Sequence, residues 1–407
     1  MKTLAFFSPL SPLPSGVAHY ADNLARQLAD NWKIVFYIDG DYRPEAVEDL
    51  GEVRNRELFR GEEDIALFQA SNGPMHAYMY PDILRHGGVI TLHDSTLYDM
   101  VISYWEGKSR AKFWADFLRN EGADGVRRMM APLKEGGGKF SQRILHNLYL
   151  DEESKRNYFT FLRRVVRCAR GIITHSRWVA DAVRRAGAEC PIMTVPLAVQ
   201  PAPAQMPADA ARESLGLNEK GVKPHTFVAL VFGYIQRHKR IEPILDAWAR
   251  FVTEAPDAML LLVGPRSPDL DIDRAVAQRN LGDRVLIDAS FVLMEKIRLY
   301  LFSADLCLNL RKPVYGSSSQ SLMQILAAGR ACVVTDAETF SEFPDEVVKK
   351  ISCGPSEVDD ILEVMRWAVN NSDERRELGM RAREFVEAGC LWSQVGEKYN
   401  DFLKRIL

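Results

Sequence analysis

The chain has 407 residues, 47% of them hydrophobic and 26% charged, with a formal net charge of -3. This length exceeds one ordinary core and predicts two or three domains, while the charge lacks the basic footprint of a nucleic-acid binder. No apolar run reaches the length of a membrane span, and "MKTLAFFSPLSPLPSG", broken by prolines, reads as a first strand and loop rather than a secretory signal.

In chain order, the first strand candidates are "TLAFF" (3–7), "KIVFYI" (33–38), "IALFQA" (65–70), "GVITLH" (88–93), "GIITH" (171–175) and "IMTV" (192–195). Amphipathic stretches such as "VAHYADNLARQLAD" and "SRWVADAVRRAG" lie between them. Near-continuous apolar strands alternating with helices indicate a parallel sheet covered on both faces. Residues 97–166 depart from that rhythm as a helical insertion. It carries Trp105, Phe113, Trp114, Phe117, Met129 and Met130 among many basic residues. Mutual packing of these aromatics is the favoured expectation, and an acceptor-binding or membrane-facing surface is the alternative.

The proline-rich stretch "VPLAVQPAPAQMPADA" (195–210) reads as a linker. Alternation then resumes with "TFVALVFG" (226–233), "AMLLLVG" (258–264), "RVLID" (284–288), "DLCLNL" (305–310) and "RACVVTD" (330–336). The expected fold class is therefore α/β, with two tandem Rossmann-like doubly wound domains facing a central cleft. The domains fall at 1–198, with the insertion at about 97–166, and at 199–388. Residues 389–407 form an amphipathic helix with Trp392, Val395, Tyr399, Phe402 and Ile406 on one stripe, able to cross back to the first domain. The six cysteines (Cys168, Cys190, Cys307, Cys332, Cys353 and Cys390) are scattered without a CxxC pair, which predicts reduced thiols and a cytoplasmic setting.

The stretch "VYGSSSQSLMQILAAGRACVVTD" (314–336) concentrates the chemistry. Ser317 or Ser318 is the expected N-cap, with a helix over 321–328 and Gly329 as its stop. Backbone N–H groups at such a helix start, together with the helix dipole, suit a phosphate. A purely structural serine cap fits the same residues.

Taken together, these segments resemble the retaining GT-B glycosyltransferases, a group that includes sucrose synthases, bacterial glycogen synthases and many lipopolysaccharide mannosyl- and glucosyltransferases. The resemblance runs over nearly the whole chain. It rests on "SPLPSGVAHYADNLARQLA", "GVITLHDSTLYD", "IITHSRWVADAVRRAG", "VFGYIQRHKRIEPILDAWARF", "LLLVGP", the 314–336 stretch and "FSEFPDEVVKKI", all in the family's order. It implies a hexosyltransferase that takes a sugar from a nucleotide-sugar donor, GDP-mannose or a UDP-sugar. The acceptor would be a glycan or lipid-linked molecule, in cell-surface polysaccharide synthesis and with retention of configuration. No cofactor or metal is expected, and the setting would be cytoplasmic, at most touching the inner face of the membrane.

By the same resemblance, His93, Asp94 and Lys239 are candidate catalytic residues. Gly16, Arg237, Arg240, Val292, Ser317, Ser318, Ser319, Gln320 and Gln324 are candidates for donor binding. Lys239 would meet the departing phosphate as a point charge. Gly16 would let the backbone approach a ligand, and Val292 lies in "ASFVLME" (289–295), near the base. Surface charge is the bland alternative for Arg237 and Arg240, loop structure for His93 and Asp94, and an ordinary loop glycine for Gly16.

Two departures from the family pattern stand out. The arginine expected five residues before Lys239 is Tyr234, and the paired glutamates of the E-x7-E motif fall on Gly316 (or Ser317) and Gln324. They raise a second reading, a GT-B-fold binding or partner protein without transfer activity. A dinucleotide-dependent oxidoreductase fits the strand–helix alternation but not the sequence, which lacks a G-x-G-x-x-G after any strand.

Overall fold

Strand β1 (Lys2–Phe7) is wholly apolar from Leu4 to Phe7 and is buried there on both faces, as a central parallel strand requires. It pairs in parallel with β2 (Trp32–Ile38) through Leu4↔Ile34 and with β4 (Ile65–Ala70) through Leu4↔Ile65. With β3 (Gly51–Asn55), β5 (Gly88–Leu92), β6 (Ala169–Thr174) and β7 (Ile192–Thr194), these form a seven-stranded sheet of order β3-β2-β1-β4-β5-β6-β7. This computed structural model describes residues 1–135, 159–203, 205–290, 292–312 and 314–407, with side chains described to residue 129 in the first segment.

The chain divides into two units. The first is Met1–Leu197 with Tyr315–Ser318 and Trp392–Leu407, and the second is Ala198–Val314 with Ser319–Leu391. The second unit holds β8 (Val228–Phe232), β9 (Met259–Val263), β10 (Val285–Asp288), β11 (Leu306–Asn309), β12 (Cys332–Thr335) and β13 (Lys349–Ile351). They make a six-stranded parallel sheet of order β10-β9-β8-β11-β12-β13. Both are Rossmann-like, and in each the strand order reverses beside the first strand, between β1 and β4 and between β8 and β11. Such sheets bind ligands beyond the carboxyl ends of the strands at that reversal.

Helix Gly16–Leu28 starts one residue earlier than its apolar stripe, because the Ser15 hydroxyl caps it by accepting from Val17 N at 3.2 Å. Helix Trp392–Ile406 belongs to the first unit. Its Trp392, Val395, Tyr399 and Phe402 are buried, Asn400 accepts from Trp32 Nε1 at 2.9 Å, and Tyr399 meets Tyr20 hydroxyl to hydroxyl at 3.2 Å.

In the insertion, the helical run Arg110–Glu135 breaks at Gly122, whose φ of 70 suits a residue without Cβ. Phe113, Phe117 and Met129 are buried in the first unit's core, with Trp105 and Trp114 packed against it. Asp116 gathers the polar groups beneath them, accepting from Trp105 Nε1 at 2.8 Å, from the Tyr80 hydroxyl and from Arg164. These side chains are therefore core rather than surface. The Met130 side chain and residues 136–158 lie outside what the structure describes. No helix among the described residues is long and apolar enough to cross a membrane.

Candidate functional site

In the second unit, β8 ends at Phe232 and the chain turns at Gly233, with φ 103. A Cβ on Gly233 would collide with the Lys239 ammonium, so the missing side chain is what makes room for the amine. Lys239 closes the short 3-10 turn Arg237–Lys239, is 4% exposed, and donates from Nζ to Phe232 O at 2.7 Å. Burial, and after it the neighbouring Arg311 guanidinium, hold its pKa well below the ordinary lysine value.

Arg311 lies just past β11. Its backbone N–H donates to Thr335 Oγ1 at 2.9 Å and its Nη2 to Ser319 Oγ at 3.1 Å. The Lys239 amine and the Arg311 guanidinium thus sit together at the strand-order reversal of this sheet, and a bound anion would favour the charged form of the amine.

Ser319, not Ser317 or Ser318, caps the following helix, which spans Gln320–Ala327. Its buried hydroxyl accepts from Leu322 N at 3.2 Å and from Asn309 Nδ2 at 3.1 Å, and pairs with Ser321 Oγ at 3.0 Å. The cap shifts because β11 delivers Asn309 and Arg311 to this hydroxyl, a tertiary preference that a run of serines conceals. Gly329, with φ 67, follows the C-cap Ala328 and ends the helix as expected.

Gln320 Nε2 donates to Ala198 O at 3.3 Å. Gln324 lies one turn along, and its buried Oε1 has no hydrogen-bond partner among the described residues. Val292 is buried beyond the end of β10.

Two arginines stand elsewhere. Arg240 forks onto Glu357, with Nε 2.7 Å from Oε1 and Nη2 bonded to Oε2, and Glu357 is itself buried. Arg237 is exposed and binds Asp269 through its backbone N–H and Nε. Arg311 supplies the guanidinium beside Lys239. Local spacing cannot reveal it, since a different strand brings it there.

In the first unit, His93 follows β5. His93 and His175, which follows β6, have ring centroids 5.0 Å apart, and both rings pack on Tyr20. His93 Nε2 lies 3.0 Å from Gln69 Oε1, and His76 Nδ1 lies 2.9 Å from Gln69 O. Burial first, then His175 and His76, keeps the His93 pKa well below the ordinary value. Burial also brings His76 and His175 to about 4, so the three imidazoles are neutral.

Asp94 Oδ2 accepts from Ser71 Oγ at 2.6 Å and Asn72 N at 2.7 Å, fastening the loop that leaves β4. Its carboxylate thus positions a loop. Gly16 is the first helical residue after its cap, and a Cβ there would meet open space. Ser317 and Ser318 are half-buried in the first unit, after two consecutive left-handed residues, Tyr315 (φ 58) and Gly316 (φ 66). Ser95 holds that turn by donating from N and Oγ to Tyr315 O at 3.1 and 2.8 Å, and a Cβ on Gly316 would collide with it. Among the described residues, no group of three or more His, Cys, Asp and Glu side chains could hold a metal ion.

Residues 217–385 match the family Glycosyl transferases group 1. Apart from Tyr315–Ser318, the matched segment lies in the second unit. Lys239, Arg311, Ser319 and Gln324 all lie inside it. No curated protein sequence matches the chain.

Solved structures agree on the fold. A sucrose-phosphate synthase from Thermosynechococcus elongatus superposes with a TM-score of 0.66 at 16% identity, over 100% of this chain and 99% of its own. HepE from Anabaena, solved in complex with UDP, gives 0.64 at 13% identity over 100% of both chains. WaaG, a glycosyltransferase involved in lipopolysaccharide biosynthesis, gives 0.61 at 14% identity over 98% of this chain and 99% of its own. The fold is GT-B.

Proposed function

We propose that this chain is a nucleotide-sugar-dependent glycosyltransferase whose group 1 domain holds the donor diphosphate at Lys239, Arg311 and the start of helix Gln320–Ala327. The observation that carries the proposal is the buried Lys239 amine set against the Arg311 guanidinium at the carboxyl end of β8. Charging a buried amine beside a guanidinium is costly, and a diphosphate turns that cost into attraction.

As the anomeric C–O bond breaks, negative charge grows on the leaving phosphate. Lys239 meets it as a point charge and Arg311 as a planar donor, while the N–H groups of Gln320 and Ser321 add the positive end of the helix dipole. Gln324 presents a side-chain amide to the ribose hydroxyls. His93 serves as a neutral imidazole for a sugar hydroxyl rather than as a proton donor. The donor is GDP-mannose or a UDP-sugar, a choice kept open by a UDP complex in one neighbour of the same fold. The acceptor is a glycan or lipid-linked molecule of cell-surface polysaccharide synthesis, and the anomeric configuration is retained.

A second reading is favoured by one observation. No carboxylate stands at positions 316, 317 or 324, and Gly316 could not carry one without displacing Ser95. On that reading the protein binds a nucleotide sugar without transferring it.

The deciding assay incubates the chain with UDP-glucose and GDP-mannose, with and without lipopolysaccharide-core and polyprenyl-phosphate-sugar acceptors, and follows release of nucleoside diphosphate. Acceptor-dependent release supports the transferase, and NMR of the new glycosidic bond then tests retention. Saturable binding with no release in any mixture would transfer the conclusion to the binding protein.

A further inference from the structure

The imidazole of His175 has no part in the diphosphate site, yet its surroundings leave one atom chemically unfinished. His175 Nδ1 lies 3.3 Å from Val195 O. A carbonyl only accepts, so the ring proton sits on Nδ1 and Nε2 keeps a bare lone pair. That Nε2 is buried and has no hydrogen-bond partner among the described residues. The residue is 9% exposed and stands where β6 ends.

The same bookkeeping applies to its neighbour. Gln69 Nε2 donates to Thr91 Oγ1 at 3.2 Å, which turns Gln69 Oε1 toward His93 and places the His93 proton on Nε2. His93 Nδ1 is then the unprotonated nitrogen of that ring. His76 is different, since its Nδ1–H donates to Gln69 O and it holds the loop after β4.

An orphan acceptor of this kind destabilises a fold, and an apolar ring at this position would have avoided it. We infer that His175 contacts substrate, its Nε2 taking a hydrogen bond from a hydroxyl of a neutral sugar. A lone pair repels phosphate and carboxylate and welcomes O–H donors, which makes this end of the first unit a polyol site and not a second anion site. The choice of a sugar rests on the transferase proposal, whereas the tautomer and the acceptor character rest on geometry alone.

The test uses the full chain labelled with 15N-histidine, with the His175 and His93 signals assigned through His175→Gln and His93→Gln. Long-range proton–nitrogen spectra are recorded while methyl glycosides of glucose, mannose, galactose and N-acetylglucosamine are titrated in, with inorganic phosphate as the anion probe. The expected result is an unprotonated His175 Nε2 that shifts saturably with at least one glycoside and not with phosphate. His175→Phe, which keeps an aromatic ring and removes the acceptor nitrogen, should weaken that glycoside roughly tenfold.

A protonated Nε2 in the ligand-free protein, a signal indifferent to all four glycosides, or an equal response to phosphate would each overturn the inference. Nucleotide-dependent stabilisation by UDP or GDP is measured in the same samples and separates the two proposals. Nucleotide stabilisation without a glycoside shift removes the His175 site and leaves the transferase standing. A glycoside shift without nucleotide stabilisation does the reverse.

Discussion

Three neutral, buried histidines should make the first unit acid-sensitive in a way that can be worked out residue by residue. His76 and His175 titrate at about 4 in the folded protein, against about 6.5 in an unfolded chain. Between those values the unfolded chain binds more protons than the folded one, so stability rises with pH. The contribution of each imidazole is complete above about pH 6.5 and is lost as pH falls toward 4. From pH 7 to pH 5, each of the two removes about 2 kcal/mol by this linkage. In a unit of this size, that is about 4–8 °C of melting temperature. The assay is scanning calorimetry of the parent and of His175→Gln from pH 7 to pH 5. The parent's first-unit transition should fall more steeply, by about 2 kcal/mol over that range. Parallel pH dependences would refute the reasoning, because they would mean that His175 is as easily charged in the folded chain as in the unfolded one.

Arg240→Ala should lower the stability of the second unit by about 3 kcal/mol, because it strands the buried Glu357 carboxylate. Arg240→Met combined with Glu357→Leu should restore most of that loss in urea melts. Gly316→Ala should cost the first unit about 2 kcal/mol through left-handed backbone strain and collision with Ser95. Gly354→Ala, whose Cβ would meet open space, should cost nothing measurable in the same thermal melts. Gln324→Glu should tighten UDP or GDP about fivefold if Oε1 faces the ribose, since a charged acceptor binds a hydroxyl more strongly. Unchanged affinity in titration calorimetry would move the ribose elsewhere.

The central strands were legible because each is apolar on both faces, and β1, β4, β8 and β9 fall within a residue or two of the runs that predicted them. β3 and β13 were not, because they are short edge strands. "GEVRN" and "KKI" are half polar and carry no period to read. At the candidate site, the serine turn could be read from local sequence, and Lys239 from the family resemblance. Arg311, Glu357 and His175 could not, because each acquires its partner through tertiary structure. Arg240 and Glu357 are 117 residues apart in sequence, so nothing near "RHKR" shows that one of its arginines is already committed. The N-cap moved from Ser317 or Ser318 to Ser319 for the same reason. Three adjacent serines are equivalent in sequence, and only Asn309 and Arg311 distinguish them.

The diphosphate site is tested most directly by titration calorimetry of UDP and GDP into the parent chain and into Lys239→Met, in two buffers of different ionisation enthalpy. Burial and Arg311 depress the Lys239 pKa in the free protein, and a bound diphosphate would raise it again. The parent should therefore bind one of the nucleotides with uptake of protons, and more weakly as pH rises. Lys239→Met, which replaces a desolvated amine with a chain of similar length, should melt no lower than the parent and lose both the binding and the proton uptake. Equal affinity in parent and variant, or binding with no proton uptake at any pH, would contradict the placement of the donor phosphates at Lys239.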